Sequence, residues 1–222
     1  MHRSGTSCLT GTLESWGVNL GEVFTQNPSN AKGNRENREI MDLHDAVLAA
    51  NGGSWDRPPQ DVEWKWSHRV ALHGIIRGFE DQPCWGFKDP RSLFTLNYWQ
   101  ELVPQMEFVG IFRSPIAVAR SLHARDKVRF PSLKEGIELW TAHNRRLLEI
   151  HDCKAFPILC FDEPSEQFAA KLETVRQKLG FPEPTMGASF FTDELRHQQG
   201  GPEEELPEEA AKLYARLQSL AL

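Results

Sequence analysis

The chain has 222 residues, of which 40% are hydrophobic and seven are tryptophan, so it can bury the core of one good-sized domain and is neither disordered nor fibrous. Its net charge of −6 disfavours broad electrostatic capture of nucleic acid, which needs a basic face. Because the sequence has neither an apolar run of about 20 residues nor a signal-peptide pattern, we expect a cytoplasmic protein with no membrane-spanning helix.

Hydrophobic periodicity predicts that the first half of the chain is mainly helical. Helices are predicted over Ser4–Trp16, Glu36–Ala50 and Val62–Phe79, separated by a loop over residues 17–33 and by a glycine- and proline-containing break over residues 52–59. The apolar side chains of the second helix recur every three or four residues and form one face: Ile40, Leu43, Val47 and Leu48.

Short apolar strands alternate with helices in the second half of the chain. Strands are predicted over Cys84–Phe87, Phe108–Phe112 and Phe156–Phe161. Helices are predicted over residues 92–102, 116–124, 132–151 and 166–179, and a last helix runs to residue 222. This alternation is typical of an α/β protein with a mainly parallel sheet, in which ligands bind at the carboxyl ends of the strands.

The cysteines do not indicate a metal site. Cys8, Cys84, Cys153 and Cys160 are scattered through the chain without the spacing of a ligand set. The apolar surroundings of Cys84 and Cys160 favour buried free thiols, although the sequence leaves disulfide pairing open.

The segment Arg3-Ser4-Gly5-Thr6-Ser7 has the composition of an oxyanion-binding loop. Gly5 lets the backbone approach a ligand, Thr6 and Ser7 offer hydroxyl groups, and the following helix presents its N-terminal N–H groups. Arg3 adds a bidentate partner for phosphate or sulfate oxygens. The pattern is not the GxxxxGK[ST] of a Walker loop, which disfavours ordinary ATP or GTP hydrolysis. The alternative is that Ser4 is only a helix N-cap and Gly5 part of a turn.

A second candidate phosphate site follows the clearest predicted strand, Phe108–Phe112. That strand delivers Arg113 to the carboxyl edge of the sheet, and Pro115 suits the first turn of the next helix. Ser121 lies eight residues after Arg113, about two turns into that helix, so both side chains could converge on one phosphate. The alternative is a surface arginine and an unrelated serine on the helix face.

The segments MHRSGTSCLTGTLESWGVNLG and FVGIFRSPIAVARSL, in this order, resemble the PAPS-dependent sulfotransferase family, particularly its bacterial-type members (PAPS is 3′-phosphoadenosine 5′-phosphosulfate). The likeness extends through NAKGNRENREIMDLHDAVL and GFKDPR and covers about the first 125 residues. It implies that the loop binds the 5′-phosphosulfate through Arg3, Ser4, Gly5, Thr6 and Ser7. It further implies that Arg113 and Ser121 bind the 3′-phosphate. The implied fold is a P-loop-like, three-layer α/β/α sandwich, one domain over residues 1–222, with no metal requirement.

The resemblance also implies which residues carry out the transfer. Besides Arg3, Lys88 in the segment Lys-Asp-Pro-Arg is a second candidate cation, and its alternative role is that of a strand-terminal lysine beside a helix cap. Glu36 is the first candidate for the general base, with capping of a helix N-terminus as the alternative. His44 and Glu39 are the other candidates, although a lone helical histidine is more often structural.

The acceptor side is less closely described by the sequence. Residues 52–82 are interpreted as a helical lid over the acceptor, and Trp55, Trp64 and Trp66 either line its pocket or belong to the core. Arg196 and His197 are candidate contacts to the nucleotide from the C-terminal side. The acceptor is expected to be a carbohydrate, a lipid or a small molecule, and the sequence leaves its identity and the oligomeric state open.

The family places a hydrophobic strand directly before the phosphate loop, and this first strand is missing here because the sequence starts at Met1. A start codon assigned too late is the preferred explanation; a trimmed chain and a shortened, inactive relative are the alternatives.

Two other functions compete with a sulfotransferase: a module that binds PAP, the desulfated product, without turnover, and a small-molecule kinase of the P-loop superfamily. Arg3 in place of a Walker lysine disfavours the kinase.

Overall fold

The computed structural model describes residues 1–25, 33–183 and 205–222. The chain divides into two compact units: the strand unit, which comprises Met1–Leu9 and Glu107–Leu222, and the helical unit, Thr10–Met106. Helix α1 (Thr6–Ser15) contains the boundary between them. The described residues form eight helices and one two-stranded parallel sheet, which places the chain in the mixed α/β class.

The sheet of the strand unit pairs β1 (Gly110–Phe112) with β2 (Ile158–Cys160). The strands run parallel, and Phe112 lies opposite Cys160 at their carboxyl ends. Every residue of both strands is buried. Strands buried on both faces read as continuous apolar runs, which is why FVGIF and FPILCF predict them. Both predictions are confirmed, although the paired stretch is shorter than either apolar run.

Two helices of the strand unit, α5 and α6, begin at side-chain caps that are visible in the sequence. α5 starts with Pro115 in its first turn, and the Ser114 hydroxyl accepts a hydrogen bond from the Ala117 N–H. α6 starts with a capping box between Ser132 and Glu135. After α1, the described helices of this unit are α5 (Pro115–Arg125), α6 (Leu133–Cys153), α7 (Ser165–Lys178) and α8 (Glu208–Leu220).

Helices α5 and α6 pack closely at Gly136. A Cβ atom at Gly136 would lie 2.7 Å from the Cα of Ala119, closer than the 3.0 Å that real Cβ contacts keep. The fully buried aromatic side chains of this unit include Phe112, Trp140 and Phe168. The close approach of the two helices therefore depends on glycine at position 136.

The helical unit contains α2 (Arg38–Ala50), α3 (Trp66–Arg77) and α4 (Ser92–Leu102) in its described part, in addition to most of α1. Asn37 caps α2, because its side chain accepts a hydrogen bond from the Ile40 N–H. The predicted apolar face of α2 is buried, together with His44. The predictions of α2 and α4 are therefore confirmed, and α4 has the predicted bounds.

The prediction of a strand over Cys84–Phe87 is wrong. The described residues there form only an isolated parallel bridge between Asn19 and Trp85. Asn19 donates to the Cys84 carbonyl over 3.1 Å and accepts from the Gly86 N–H over 3.0 Å, and the bridge extends no further. An apolar run becomes a strand only where a neighbouring segment pairs with it, and here the pairing involves a single residue.

Helix α3 begins at Trp66, four residues later than the predicted start at Val62. The Asn51 side chain accepts a hydrogen bond from the Glu63 N–H and donates one to the Glu63 carbonyl, both over 2.9 Å. Because both backbone groups of Glu63 are hydrogen-bonded to the Asn51 side chain, Glu63 is held outside the helix.

The four cysteines carry free thiols. Cys8 and Cys160 are buried, whereas Cys84 is only partly buried and Cys153 is exposed. Burial raises the pKa of the Cys160 thiol, which therefore stays protonated at neutral pH.

The glycine contact between α5 and α6 gives a stability prediction. Gly136→Ala forces a methyl group against the Ala119 backbone, and we expect it to lower the free energy of unfolding by about 1–3 kcal/mol. Gly74→Ala is the matched control, because Gly74 also lies within a helix but a Cβ there meets nothing within 4 Å. This control should raise stability by about 0.5–1 kcal/mol through helix propensity. Urea unfolding measures both variants, and equal effects would refute the packing argument.

Candidate functional site

The backbone of the loop before α1 is left-handed at two positions. Arg3 and Gly5 have positive φ angles of 63° and 84°. Position 5 requires glycine for a second reason, because a Cβ atom there would overlap the ring of Phe161, which follows β2. The Gly5 carbonyl accepts hydrogen bonds from the N–H groups of Cys8 and Leu9 over 3.0 and 3.1 Å. The positive end of the α1 dipole therefore lies at this loop.

The Ser4 side chain is the feature of this loop that points to a ligand. Ser4 is fully buried, and its Oγ has no hydrogen-bond partner among the described residues. An unpaired buried hydroxyl costs about 1–3 kcal/mol, so such a group calls for a specific explanation, and the binding of an anion is one. Thr6 and Ser7 follow in the first turn of α1, where both are partly exposed. The loop therefore fits an oxyanion held by backbone N–H and hydroxyl groups.

The two phosphate motifs predicted from the sequence meet in the strand unit. Arg3 Nε donates a hydrogen bond to Ser121 Oγ over 2.8 Å, although the two residues are 118 positions apart. Burial, followed by the positive charges of Arg125 and Arg113, lowers the pKa of the Arg3 guanidinium below its usual value. Cations that repel one another in this way form a region that a multiply charged anion would stabilise.

Arg113 follows β1 and is held by three different groups. Its Nε donates to Asp162 Oδ1 over 2.9 Å, and its carbonyl accepts from the Trp140 indole N–H over 2.9 Å. Asp162 Oδ2 also accepts a hydrogen bond from the Ser114 N–H over 2.6 Å. The guanidinium carbon lies 5.6 Å from the centre of the Phe161 ring. Only 8% of the Arg113 side chain is exposed, so its position is fixed by these neighbours.

Asp162 was not among the residues predicted from the sequence. A signal for it exists, because FPILCF is a predicted strand and Asp162 follows it directly. The carboxyl ends of neighbouring parallel strands lie at one edge of a sheet, so residues after β1 and β2 are expected to meet. The register confirms this geometry, since Phe112 lies opposite Cys160 and the Phe161 N–H bonds to the Phe112 carbonyl over 2.9 Å.

The helical unit contains the candidate catalytic residues Glu36 and Lys88. Lys88 Nζ donates to Glu36 Oε1 over 2.9 Å, and only 11% and 6% of the two side chains are exposed. Glu36 directly precedes Asn37, the N-cap of α2. Glu39, the alternative base, is exposed in the first turn of α2. The structure thus brings Glu36 and Lys88 together as a buried ion pair.

His44 lies in the interior of the helical unit and is fully buried. The Trp99 indole N–H donates to His44 Nε2 over 2.8 Å, so this nitrogen carries no proton. The proton on Nδ1 is donated to Asp89 Oδ2 over 2.8 Å. Both ring nitrogens of the neutral imidazole are therefore used within the core, which favours the structural role for His44.

Asp89 joins His44 to an arginine. Asp89 Oδ1 accepts hydrogen bonds from the Arg91 N–H over 3.0 Å and from Arg91 Nη1 over 2.9 Å. Arg91 Nε also donates to Asp45 over 2.6 Å. Burial by itself would raise the pKa of Asp89, but the hydrogen bond from His44 and the charge of Arg91 hold this pKa far below its usual value of 3.8. Asp89 is therefore a structural carboxylate that is ionised at neutral pH.

The tryptophans predicted for the acceptor side have different surroundings. Trp64 is buried, and its indole N–H donates to Asn97 Oδ1 over 3.0 Å. Trp55 is partly exposed, whereas Trp66 at the start of α3 is 79% exposed. Trp64 thus contributes to packing. Arg196 and His197 lie outside the described residues.

Comparison with known proteins gives no relative on which to base a role. No protein-family model matches the chain, and neither a curated protein nor a solved structure is significantly similar to it. Across residues 1–25, 33–183 and 205–222, no cluster of three or more His, Cys, Asp or Glu side chains could hold a metal ion. In the same ranges no helix has the length and apolar character to cross a membrane.

The buried ion pair between Glu36 and Lys88 predicts how stability changes when one or both of its charges are removed. Lys88→Met leaves the Glu36 carboxylate buried without its partner, and we expect a loss of about 3–5 kcal/mol in the free energy of unfolding. The double variant Glu36→Gln/Lys88→Met removes both charges and should recover most of this loss. Chemical unfolding of the three proteins gives the answer, and a double variant as unstable as the single one would contradict the assigned pairing.

The low pKa of Asp89 predicts how stability depends on pH. A carboxylate whose pKa is depressed by folding contributes stability that is complete above its unfolded pKa and is lost as the pH falls towards the folded pKa. The stability difference between the wild type and Asp89→Asn should therefore be largest at neutral pH and shrink as the pH falls below 3.8. Asp152→Asn, which breaks an exposed ion pair with Arg216, is the control and should cost less than about 1 kcal/mol. A stability difference between the wild type and Asp89→Asn that does not change with pH would contradict the low pKa assigned to Asp89.

Proposed function

We propose that the chain is a sulfotransferase that takes sulfuryl groups from PAPS and transfers them to a hydroxyl or amine of a carbohydrate, a lipid or a small molecule. The observation that carries this proposal is the 2.8 Å hydrogen bond between Arg3 Nε and Ser121 Oγ. It joins the loop expected to bind the 5′-phosphosulfate to the helix expected to bind the 3′-phosphate. Their proximity suits one ligand with two separate anionic groups.

Charge and hydrogen bonding in the strand unit support an anionic ligand. Arg3, Arg113 and Arg125 are close enough that the latter two lower the pKa of Arg3, in a chain whose net charge is −6. The buried Ser4 hydroxyl, which lacks a partner in the described part of the chain, and the N-terminus of α1 add donors for phosphate or sulfate oxygens. In this proposal the Arg3–Ser7 loop binds the 5′-phosphosulfate, and Arg113 and Ser121 bind the 3′-phosphate.

The proposed chemistry assigns roles to three residues. Arg3 stabilises the negative charge that develops on the leaving 5′-phosphate, and Lys88 is a second cation for the transfer. The sulfur–oxygen bond to the 5′-phosphate breaks while the acceptor oxygen or nitrogen bonds to sulfur, so that PAP leaves. Glu36 accepts the proton that the acceptor loses. Transfer by positioning and charge stabilisation in this way requires no metal ion.

The proposed fold is correspondingly a P-loop-like, three-layer α/β/α sandwich formed as one domain by residues 1–222. A parallel pair of strands buried along their length is typical of sheets covered by helices on both faces, which supports this architecture. Residues 52–82 serve as a lid over the acceptor in this proposal. The exposed Trp66 side chain suits such a role, because an aromatic ring can pack against an acceptor.

Nucleotide binding tests the proposal directly. PAP at about 100 times its Kd should stabilise the chain by roughly 2.7 kcal/mol, which is a rise of a few degrees in Tm, while ATP should have no such effect. Arg113→Ala should lower the affinity for PAP at least about tenfold, because it removes a charged partner of the 3′-phosphate. Arg146→Ala is the matched control, because this exposed arginine of α6 pairs with Glu149 and should leave binding unchanged.

The possible outcomes separate the competing functions. Binding of PAP together with release of PAP from PAPS in the presence of hydroxyl and amine acceptors supports the sulfotransferase. Binding of PAP without transfer to any acceptor would identify a nucleotide-binding module instead. Stabilisation by ATP but not by PAP would favour a kinase, and a lack of response to either nucleotide would overturn the PAPS proposal.

A further inference from the structure

The carboxylate of Asp162 lies directly beside the arginine proposed to bind the 3′-phosphate. Asp162 Oδ1 accepts from Arg113 Nε over 2.9 Å, and Asp162 Oδ2 accepts from the Ser114 N–H over 2.6 Å. The Asp162 side chain is 31% exposed, whereas the Arg113 side chain is 8% exposed. One carboxylate thus links the segment after β2 to the end of β1 and to the N-cap of α5.

An acidic group at this place opposes anion binding by its charge alone. A carboxylate in contact with the binding arginine repels an approaching phosphate and cancels part of the arginine charge. The same carboxylate also uses the Ser114 N–H at the N-terminus of α5, where an anion would otherwise be favoured. Its position therefore calls for a benefit that outweighs this repulsion.

The geometry of the Arg113 side chain supplies that benefit. A guanidinium has five N–H donors in one plane, so a fixed hydrogen bond at Nε fixes the direction of the other groups. Asp162 holds Nε, Trp140 holds the Arg113 carbonyl over 2.9 Å, and the Phe161 ring lies 5.6 Å from the guanidinium carbon. The Nη groups are then directed by the fold before a ligand arrives, which lowers the entropy lost on binding.

We propose that Asp162 is a positioning residue that orients Arg113 for the 3′-phosphate and, by occupying the Ser114 N–H, keeps that phosphate away from the N-terminus of α5. Asp162 acts through Arg113 and does not itself contact the nucleotide. This inference rests on the proposed function, because it concerns the same nucleotide site. It makes Asp162 a determinant of selectivity for nucleotides that carry a 3′-phosphate.

The test asks whether Asp162→Asn raises or lowers the affinity for PAP. Asp162→Asn keeps the size of the side chain but removes the charge and leaves one oxygen for two donors, so the charge-assisted bond to Arg113 Nε is weakened or lost. Simple electrostatics predicts that this loss of negative charge tightens PAP binding, whereas the positioning role predicts a loss of about tenfold. Glu163→Gln is the matched control, because it removes the same charge one residue further on, where Glu163 pairs with Lys171 over 2.5 Å. This control should change PAP affinity by less than about twofold.

Two further measurements distinguish positioning from general loss of structure. Adenosine 5′-phosphosulfate lacks the 3′-phosphate, so Asp162→Asn should leave its affinity within about twofold of the wild type. In an Arg113→Ala background, Asp162→Asn should cause no further loss of PAP affinity, because the two residues act as a unit. Titration calorimetry below the unfolding temperature of the least stable variant gives all of these affinities.

The outcomes separate this inference from the function on which it rests. Failure of the wild-type chain to bind PAP would overturn both. Where the wild type binds PAP, tighter or unchanged binding by Asp162→Asn would overturn the positioning role alone. Equal losses for PAP and adenosine 5′-phosphosulfate, or an additive loss in the Arg113→Ala background, would also overturn it.

Discussion

The parallel pairing of β1 with β2 is the constraint on which the geometry of the strand unit depends. Each strand contributes three residues, and the register places Phe112 opposite Cys160. The residues that follow the two strands are therefore neighbours at the same edge of the sheet. Arg113 is the first residue after β1, Asp162 is the second after β2, and their side chains are hydrogen-bonded. A slip of one residue would exchange inward and outward side chains and separate this pair. The candidate anion site is thus a consequence of a short ladder of backbone hydrogen bonds.

The helical unit depends on a different kind of interaction, in which buried charges are paired. Glu36 pairs with Lys88, and Asp89 is bonded to both His44 and Arg91. A buried charge is strongly destabilising when it is left alone, so each of these side chains requires the others in place. The segment Lys88–Arg91 contributes to all of these contacts, which explains why so polar a segment is held in a largely buried position.

The sequence predicts most elements of this chain because their signals are local. Pro115, the capping box at Ser132 and the apolar face of α2 each depend on neighbours within a few residues. The failures are non-local: the run Cys84–Phe87 meets only Asn19, and Asn51 delays the start of α3 by binding Glu63. In the candidate site, the order of the motifs predicts that Arg3, Arg113 and Ser121 belong together. It does not predict Asp162 or the two partners of His44, because these contacts depend on three-dimensional packing.

The contact between Gly5 and Phe161 has a consequence for the order in which the protein folds. The Phe161 ring lies against the Gly5 backbone in the folded loop, and the two residues are 156 positions apart in sequence. A contact between residues so far apart in sequence closes a long loop, which lowers the conformational entropy of the intervening chain. The segment from Arg3 to Ser7 therefore acquires its final conformation late, once β2 has joined β1. A partly folded chain would therefore contain helices of this protein before the Arg3–Ser7 loop has its final shape.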